Sequence, residues 1–230
     1  NRGGVFTQGS NQLFFDLTPG SGTTCPTIPR GANAEFGTSS IAARNAGLAD
    51  PECFTFLERH PGGYTPVFGG KNTDISNVVG FKGETGLFGD TTYDVSIGNG
   101  FSEMTYLISN TSNPSMGPDS PSSFEPGIYT TIENNFNLDL STPVDVGLYS
   151  PLNVAYGFEW RREVFKVNSN DQDSYRAGPY ANLGSGVGSD GFQGFGPDQQ
   201  GVWDRKNYAF YADLEVDVTE RLLLGGALRF

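Results

Sequence analysis

TTIENNFNLDL, residues 130–140, alternates apolar and polar side chains with a period of two. Ile132 and Phe136 share one parity, whereas Glu133 and Asp139 share the other. Because successive side chains of a β-strand point to opposite faces, this segment predicts a long strand with one apolar and one polar face.

The same period recurs on both sides of this segment. It is clean in LNVAYGFEW at 152–160, in YAFYADLEVDV at 208–218 and in the final residues 222–230, and it is rougher before residue 110. We therefore predict an all-β protein built from antiparallel hairpins. The predicted strands lie near 76–88, 91–109, 127–140, 152–167, 207–218 and 221–230.

The connections between these strands alternate in length. Tight turns are predicted at 89–90 and 219–220, whereas long links rich in Gly, Ser, Pro, Asn and Asp occupy 110–126 and 168–206. Outer-membrane β-barrels combine short periplasmic turns with long extracellular loops, so an up-and-down transmembrane barrel fits this plan. A soluble β-sandwich or lipocalin-like barrel is the alternative, in which the apolar parity would face an inner core.

Residues 1–75 read as a long irregular region, interpreted as extracellular loop. It contains one predicted short strand at 12–17 and one predicted short helix at 40–49.

Composition narrows the function classes. The 230 residues carry a formal net charge of −12, which disfavours a nucleic-acid surface and docking on anionic lipid headgroups. Aromatic residues make up 13% of the chain and charged residues only 17%, which is not the composition of a disordered protein. Only His60 could serve as an imidazole base, so we expect no enzyme activity, no histidine-based metal site and no cofactor.

Three stretches resemble the TonB-dependent outer-membrane receptors: NTSNPSMGPDSPSSFEPG at 110–127, PLNVAYGFEWRRE at 151–163 and WDRKNYAFYADLEVDVTERL at 203–222. The resemblance covers most of residues 76–230. It implies a barrel of about 22 strands whose lumen holds a plug domain. It also implies energy-coupled uptake of a scarce nutrient across the bacterial outer membrane, such as a siderophore, a cofactor or an oligosaccharide.

No plug domain and no TonB-contacting segment are recognisable in these residues. We therefore expect an internal segment of such a barrel, forming an open, curved antiparallel sheet of about six to eight strands. Its expected partners are outer-membrane lipid and an unidentified small-molecule ligand, with TonB and the plug engaged only through other parts of the receptor. The alternative is a complete small outer-membrane barrel with a structural, adhesive or porin-like role, closed by pairing 222–230 with an N-terminal strand.

Cys25 and Cys53 are the two cysteines of the sequence, and both lie in the irregular region before residue 76. Two such cysteines in an exported protein usually pair, so we predict a disulfide between them.

Ligand contact is expected from aromatic residues of the Gly-rich 168–206 link and from Arg161 on the polar parity. Aromatic rings on a loop can hold a sugar, a heterocycle or a chelate, or they can pack on neighbouring loops. Arg161 could meet an anionic ligand, or it could pair with Glu159 or Glu163. The aromatic candidates are Tyr175, Tyr180, Phe192, Phe195 and Trp203.

Two further patterns in the same link have simpler explanations. Gly186–Gly191 matches GxGxxG by spacing, but no strand precedes it and no helix is predicted after it, so a dinucleotide site is not expected. The oxygen-rich group Asn168, Asn170, Asp171 and Asp173 is either a calcium site or a solvated loop, and the Gly and Glu positions of an EF-hand are missing.

Overall fold

A computed structural model describes residues 6–8, 11–22, 24–29, 38–61, 63–86, 89–183 and 185–230. Residues 87–88, the end of the first predicted strand, lie outside this range.

The main feature is an open antiparallel sheet whose strands pair largely in chain order. The strands are β6 (Val67–Thr85), β7 (Thr91–Ser109), β8 (Ser123–Phe124), β9 (Gly127–Val144), β10 (Leu152–Ser169), β11 (Gly201–Thr219) and β12 (Leu222–Arg229). Their order in the sheet is β12-β11-β10-β9-β7-β6, and the short β8 also pairs with β7. In the described part of the chain, β6 and β12 are therefore the edges, and the all-β, open-sheet prediction is confirmed.

Two of these strands begin earlier than the alternation predicted. β6 begins at Val67 and not near 76, and β11 begins at Gly201 and not near 207. Both starts contain strand-forming residues such as Val67 and Trp203, but glycines at 69–70 and a run of charged residues at 204–206 follow them, so no period of two marks these starts. They become strands because β7 and β10 offer hydrogen-bonding partners alongside. The loop interpretation of 67–75 is therefore wrong.

Small elements precede the large sheet. β1 (Phe6–Gln8), β2 (Asn11–Leu13) and β4 (Thr27–Pro29) form a three-stranded sheet, and β3 (Phe15–Asp16) pairs with β5 (Cys53–Phe54). The predicted helix is present as α1 (Thr38–Ala49). Short 3-10 helices occupy Pro114–Asp119, Gln172–Ser174, Ala181–Leu183 and Pro197–Gln199.

The contacts divide the chain into two compact units. The loop unit consists of Asn1–Lys71, Met104–Ile128 and Val167–Gln200. The sheet unit consists of Asn72–Glu103, Tyr129–Lys166 and Gly201–Phe230.

The two units differ in how many of their apolar side chains are buried. In the loop unit, Phe15, Phe54 and Phe56 pack as a buried cluster with ring centroids 5.2–6.1 Å apart. Among the described residues, every buried apolar side chain except Val164 belongs to the loop unit. The sheet unit therefore has long strands and almost no hydrophobic core of its own.

The predicted disulfide is present between Cys25 and Cys53, with 5.6 Å between their Cα atoms. Cys53 is buried with Phe14, and Cys25 and Leu48 of α1 pack against that pair. The bridge thus joins the segment before α1 to the one after it.

Candidate functional site

One face of the sheet unit is a network of ion pairs. Arg161 lies 3.0 Å from a Glu159 carboxylate oxygen and 3.9 Å from Glu133. Arg229 of the edge strand β12 also pairs with Glu159. Arg205 of β11 pairs with Glu163. The carboxylates neutralise the guanidinium groups, so Arg161 makes the ion pairs expected of the simpler interpretation, although its second partner is Glu133 and not Glu163.

The same face contains a shallow cavity of about 460 Å³. The Tyr211 hydroxyl donates a hydrogen bond to Asp139 there. A Cβ atom at Gly157 would lie 2.4 Å from the Tyr211 ring, so the glycine allows this ring to cross β10 and reach Asp139. Lys82 and Asp94 also line the cavity.

The opposite parity of the sheet unit is apolar and exposed. The Phe136 and Phe158 ring centroids lie 6.1 Å apart, and those of Phe158 and Phe210 lie 5.0 Å apart, forming a row across three strands. Phe81 on β6 is 73% exposed and Leu228 on β12 is 64% exposed. Along the middle of the strands, alternation has therefore placed the ion pairs on one face and the row of three phenylalanine rings on the other. Nearer the loop ends, Tyr129, Phe165 and Trp203 share the parity of the ion pairs. There Arg162 and Asp204 pair on the apolar parity.

Trp203 belongs to the sheet unit and not to the link after β10. It lies on β11, half exposed, with its ring centroid 6.1 Å from that of Phe165, which in turn contacts Tyr129. The sequence-based placement of Trp203 in a glycine-rich loop is corrected by the earlier start of β11.

In the loop unit, Asn113 anchors the long link after β10. Its side chain is fully buried and donates to the carbonyl oxygens of Asp173 and Arg176, at 2.8 and 2.9 Å. Its carbonyl oxygen accepts from the backbone of Gly188 at 3.1 Å and from the Ser115 hydroxyl at 2.7 Å. A single amide thereby connects two links that are far apart in sequence.

Phe192 and Phe195 are brought together in this unit. Phe192 lies 4.7 Å from Phe68 and 5.5 Å from Tyr106, measured between ring centroids, and Phe195 meets Tyr106 edge-on at 6.0 Å. A Cβ atom at Gly127 would lie 2.0 Å from the Phe195 ring. These two candidates pack on the ends of β6, β7 and β9, which is the packing alternative left open by their sequence.

Tyr180 and Tyr175 lie elsewhere in the loop unit. The Tyr180 ring meets Phe15 edge-on at 4.8 Å, and burial raises the pKa of its hydroxyl, helped by the charges of Asp119 and Asp16. Tyr175 is half buried at the end of a 3-10 turn. The structure therefore does not gather the five predicted aromatic residues into one site.

A groove of about 550 Å³ lies between residues 64–66, Pro114 and residues 186–193 of the loop unit. The Tyr64 side chain is 5% exposed and donates from its hydroxyl to Asp190 Oδ2 at 3.2 Å. The His60 ring packs on Tyr64 with centroids 4.6 Å apart. Burial, and then the Asp190 carboxylate, raise the pKa of the Tyr64 hydroxyl well above its usual value.

The oxygen-rich group after β10 makes contacts within the protein. Asp171 Oδ1 accepts from the backbone of Asp173 at 3.0 Å, Asp173 pairs with Arg176 at 2.6 Å, and Asn170 donates to Glu125 at 2.9 Å. Within the described ranges, no group of three or more His, Cys, Asp or Glu side chains is arranged to hold a metal ion. Among those residues, no helix has both the length and the apolarity of a membrane span.

Tyr64, Asn113 and Asp190 were not predicted from the sequence. The glycine density of residues 184–196 indicates a loop, but nothing local indicates that Asp190 meets a tyrosine 126 positions earlier. Comparisons with protein-family models, with curated proteins and with solved structures find no match for this chain.

Proposed function

We propose that this chain is part of the wall and outward loops of a TonB-dependent outer-membrane receptor that takes up a scarce nutrient. The observation that carries the proposal is the sheet unit, with its long strands, polar face, exposed apolar face and near absence of a core. In water, such an apolar face has to be covered, whereas in a membrane lipid covers it.

Strand length supports a membrane wall that extends beyond the bilayer. The five long strands contain 18 or 19 residues each. A tilted strand needs only about 9–11 residues to cross the hydrocarbon core. The surplus leaves room for strands that project past the lipid and hold folded loops.

The polar face suits a water-filled lumen. Its arginines are paired with carboxylates and its tyrosine with an aspartate, so the charged groups are satisfied without facing lipid. A soluble sandwich would instead cover one face with a second apolar layer. In the described part of the chain, nothing forms such a layer for the sheet unit.

The open edges favour a larger barrel over a complete small one. A small barrel would require β12 to pair with an N-terminal strand, whereas in the described chain β12 pairs with β11 and β1 pairs with β2. Unpaired backbone groups are costly in lipid, so further strands are required next to β6 and β12.

The test is nutrient uptake in a bacterium that carries the gene. A deletion strain should lose growth on a limiting ferric siderophore, cobalamin or oligosaccharide, and a strain lacking TonB should lose growth on that same nutrient. Fractionation should find the protein in the outer membrane. TonB-independent uptake would favour a passive barrel, and recovery from the soluble periplasm would refute the proposal.

A further inference from the structure

The groove beside Tyr64 has the features of a small-ligand site that the wall of a barrel does not need. Its volume of about 550 Å³ lies within the usual range of such sites, about 300–1,000 Å³. It combines a tyrosine, a phenylalanine, a carboxylate and an amide, all from the loop unit. The polar lining groups are Tyr64, Thr65, Ser189, Asp190 and Gln193.

Asp190 is held in place by its own backbone. Its N–H donates to the Ser112 carbonyl at 2.9 Å, and its carbonyl accepts from the Thr111 hydroxyl at 2.6 Å. The carboxylate is therefore fixed at the groove and not carried on a loose loop. Tyr64 takes one of its oxygens, and the second oxygen accepts no hydrogen bond from any described residue.

Two glycines allow the loop to lie close to the groove. Gly188 and Gly191 have φ values of +85° and +96°, which side chains disfavour. A Cβ atom at Gly191 would lie 2.9 Å from Pro66, and one at Gly188 would lie 2.6 Å from the Gln193 side chain. The loop conformation that presents Asp190 thus depends on glycine at these positions.

The negative charge of the groove limits the charge that a ligand can carry. Among the residues that line it, Asp190 is the only one with a formal charge. A phosphate, a sulfate or a carboxylate would meet this negative group with no lining cation to balance it. Anionic siderophores and acidic sugars are therefore poor ligands for this groove.

The remaining groups match a sugar. A sugar hydroxyl both donates and accepts, and the Gln193 amide and the Asp190 carboxylate offer an N–H donor and oxygen acceptors. The apolar face of a sugar ring packs on aromatic rings, and the partly exposed Phe192 supplies one at the groove. A simple cationic amine offers no acceptor, so it would pair with the carboxylate and leave the Gln193 N–H donors unused.

We propose that this groove binds a neutral oligosaccharide, with Asp190 accepting from its hydroxyls and Tyr64 orienting the carboxylate. The proposal names a ligand class for the outward loops of the receptor proposed above, and it rests on that function only for the fate of the sugar after binding. Asp190 acts as a binding residue and Tyr64 as a positioning residue.

The experiment is calorimetric titration of the full chain in detergent micelles. The neutral probes are maltotriose, cellotriose, mannotriose and xylotriose at millimolar concentration. Trigalacturonate and the fully deacetylated glucosamine trimer are the anionic and cationic counterparts. We expect at least one neutral probe to bind and trigalacturonate not to bind.

The variants separate the groove from the rest of the link. Asp190→Asn should weaken binding of that neutral probe by about tenfold or more, because hydrogen bonds to charged groups are the strong ones. Asp198→Asn removes the same charge from an exposed position of the same link and should leave affinity unchanged. Tyr64→Phe should weaken binding by a smaller factor, because it frees the carboxylate without removing it.

The results that would overturn sugar binding differ from those that would overturn the receptor function. Failure of all four neutral probes, stronger binding of either charged trimer, or equal affinities of the two aspartate variants would overturn the proposal. Resistance of the 170–200 link to trypsin shows whether the Asp190→Asn protein is folded. If that variant is protease-sensitive, its lower affinity reflects loss of structure and also counts against the proposal. Because binding in micelles requires neither the outer membrane nor TonB, a failed uptake experiment with intact sugar binding would refute the receptor function alone.

Discussion

At the scale of single residues, Asn113 joins two links of the loop unit through its side chain. It is fully buried, and its one amide satisfies donors and acceptors from residues 115, 173, 176 and 188. Buried polar groups that lose their partners cost about 1–3 kcal/mol each. The position of the glycine-rich link therefore depends on a side chain outside that link.

We expect Asn113→Ala to release residues 170–200 from the rest of the loop unit. The loss should be about 3 kcal/mol of local stability, because the carbonyls of Asp173 and Arg176 would be left without their donor. Amide hydrogen exchange across 170–200 measures it. Asn182→Ala, at an exposed position of the same link, is the matched control, and equal protection in the two variants would contradict the role of Asn113.

Tyr64 predicts a pH dependence at the alkaline end. Its folded-state pKa is raised above the usual 10.0, first by burial and then by Asp190. Below the unfolded pKa both states keep the proton, whereas above it only the unfolded state loses the proton. The free energy of unfolding should therefore fall as the pH rises beyond about 10.

Alkaline difference spectroscopy of the folded protein measures this titration. The tyrosines whose pKa is raised should ionise later than the exposed ones, and Tyr64→Phe should remove the share of one tyrosine from that late component. Tyr149→Phe, which changes a ring that is 62% exposed, should leave it in place. A late component of unchanged amplitude in the Tyr64→Phe protein would refute the assignment.

At the scale of elements, the disulfide closes the segment that contains α1. The bond joins positions 28 residues apart, and in the chain-entropy model it contributes about 3–4 kcal/mol. We expect Cys25→Ser combined with Cys53→Ser to expose residues 26–52 to proteolysis. Wild-type protein treated with reductant should show the same cleavage, whereas the variant should not respond to reductant.

In the proposed membrane wall, alternate side chains of each long strand face lipid and the lumen. Leu214→Arg should impair outer-membrane assembly by about 2–4 kcal/mol near the midplane, because it places a charge in lipid. Asp213→Arg, one residue away on the opposite face, should be far milder. Phe158→Arg and Asn153→Arg form a second pair on β10.

Heat-modifiable migration of the assembled protein on gels measures this difference. Equal damage from both parities would contradict a membrane wall and favour a two-layered soluble fold.

At the scale of the whole molecule, the sheet has two open edges and an exposed apolar face. Phe81, Tyr208 and Phe210 are each more than half exposed, and β6 and β12 each pair with one described neighbour. Expressed as this chain in water, the protein should aggregate, because edges and apolar surface both promote association.

Light scattering with and without detergent measures this association. Detergent should disperse the aggregates by covering the apolar face. A monodisperse monomer in aqueous buffer without detergent would count against the membrane assignment.

Much of the sheet could be predicted from the sequence because strand alternation is a local property. The faces of β9, β10 and β11 follow from a period of two, and the tight turns indicate which neighbours pair. The disulfide partners could also be predicted, because the sequence contains two cysteines. The early starts of β6 and β11 could not be predicted, because the glycines at 69–70 and the charged residues at 204–206 interrupt the alternation and become strand only beside β7 and β10.

The loop unit was decided by tertiary structure. The hydrogen bond between Tyr64 and Asp190, the hold of Asn113 on the link after β10, and the packing of Phe192 on Phe68 join residues 60 to 126 positions apart. Glycine-rich links have many accessible conformations, and no periodic pattern selects among them. Their conformation is set by which buried donors and acceptors find partners, and that depends on distant segments meeting in the folded chain.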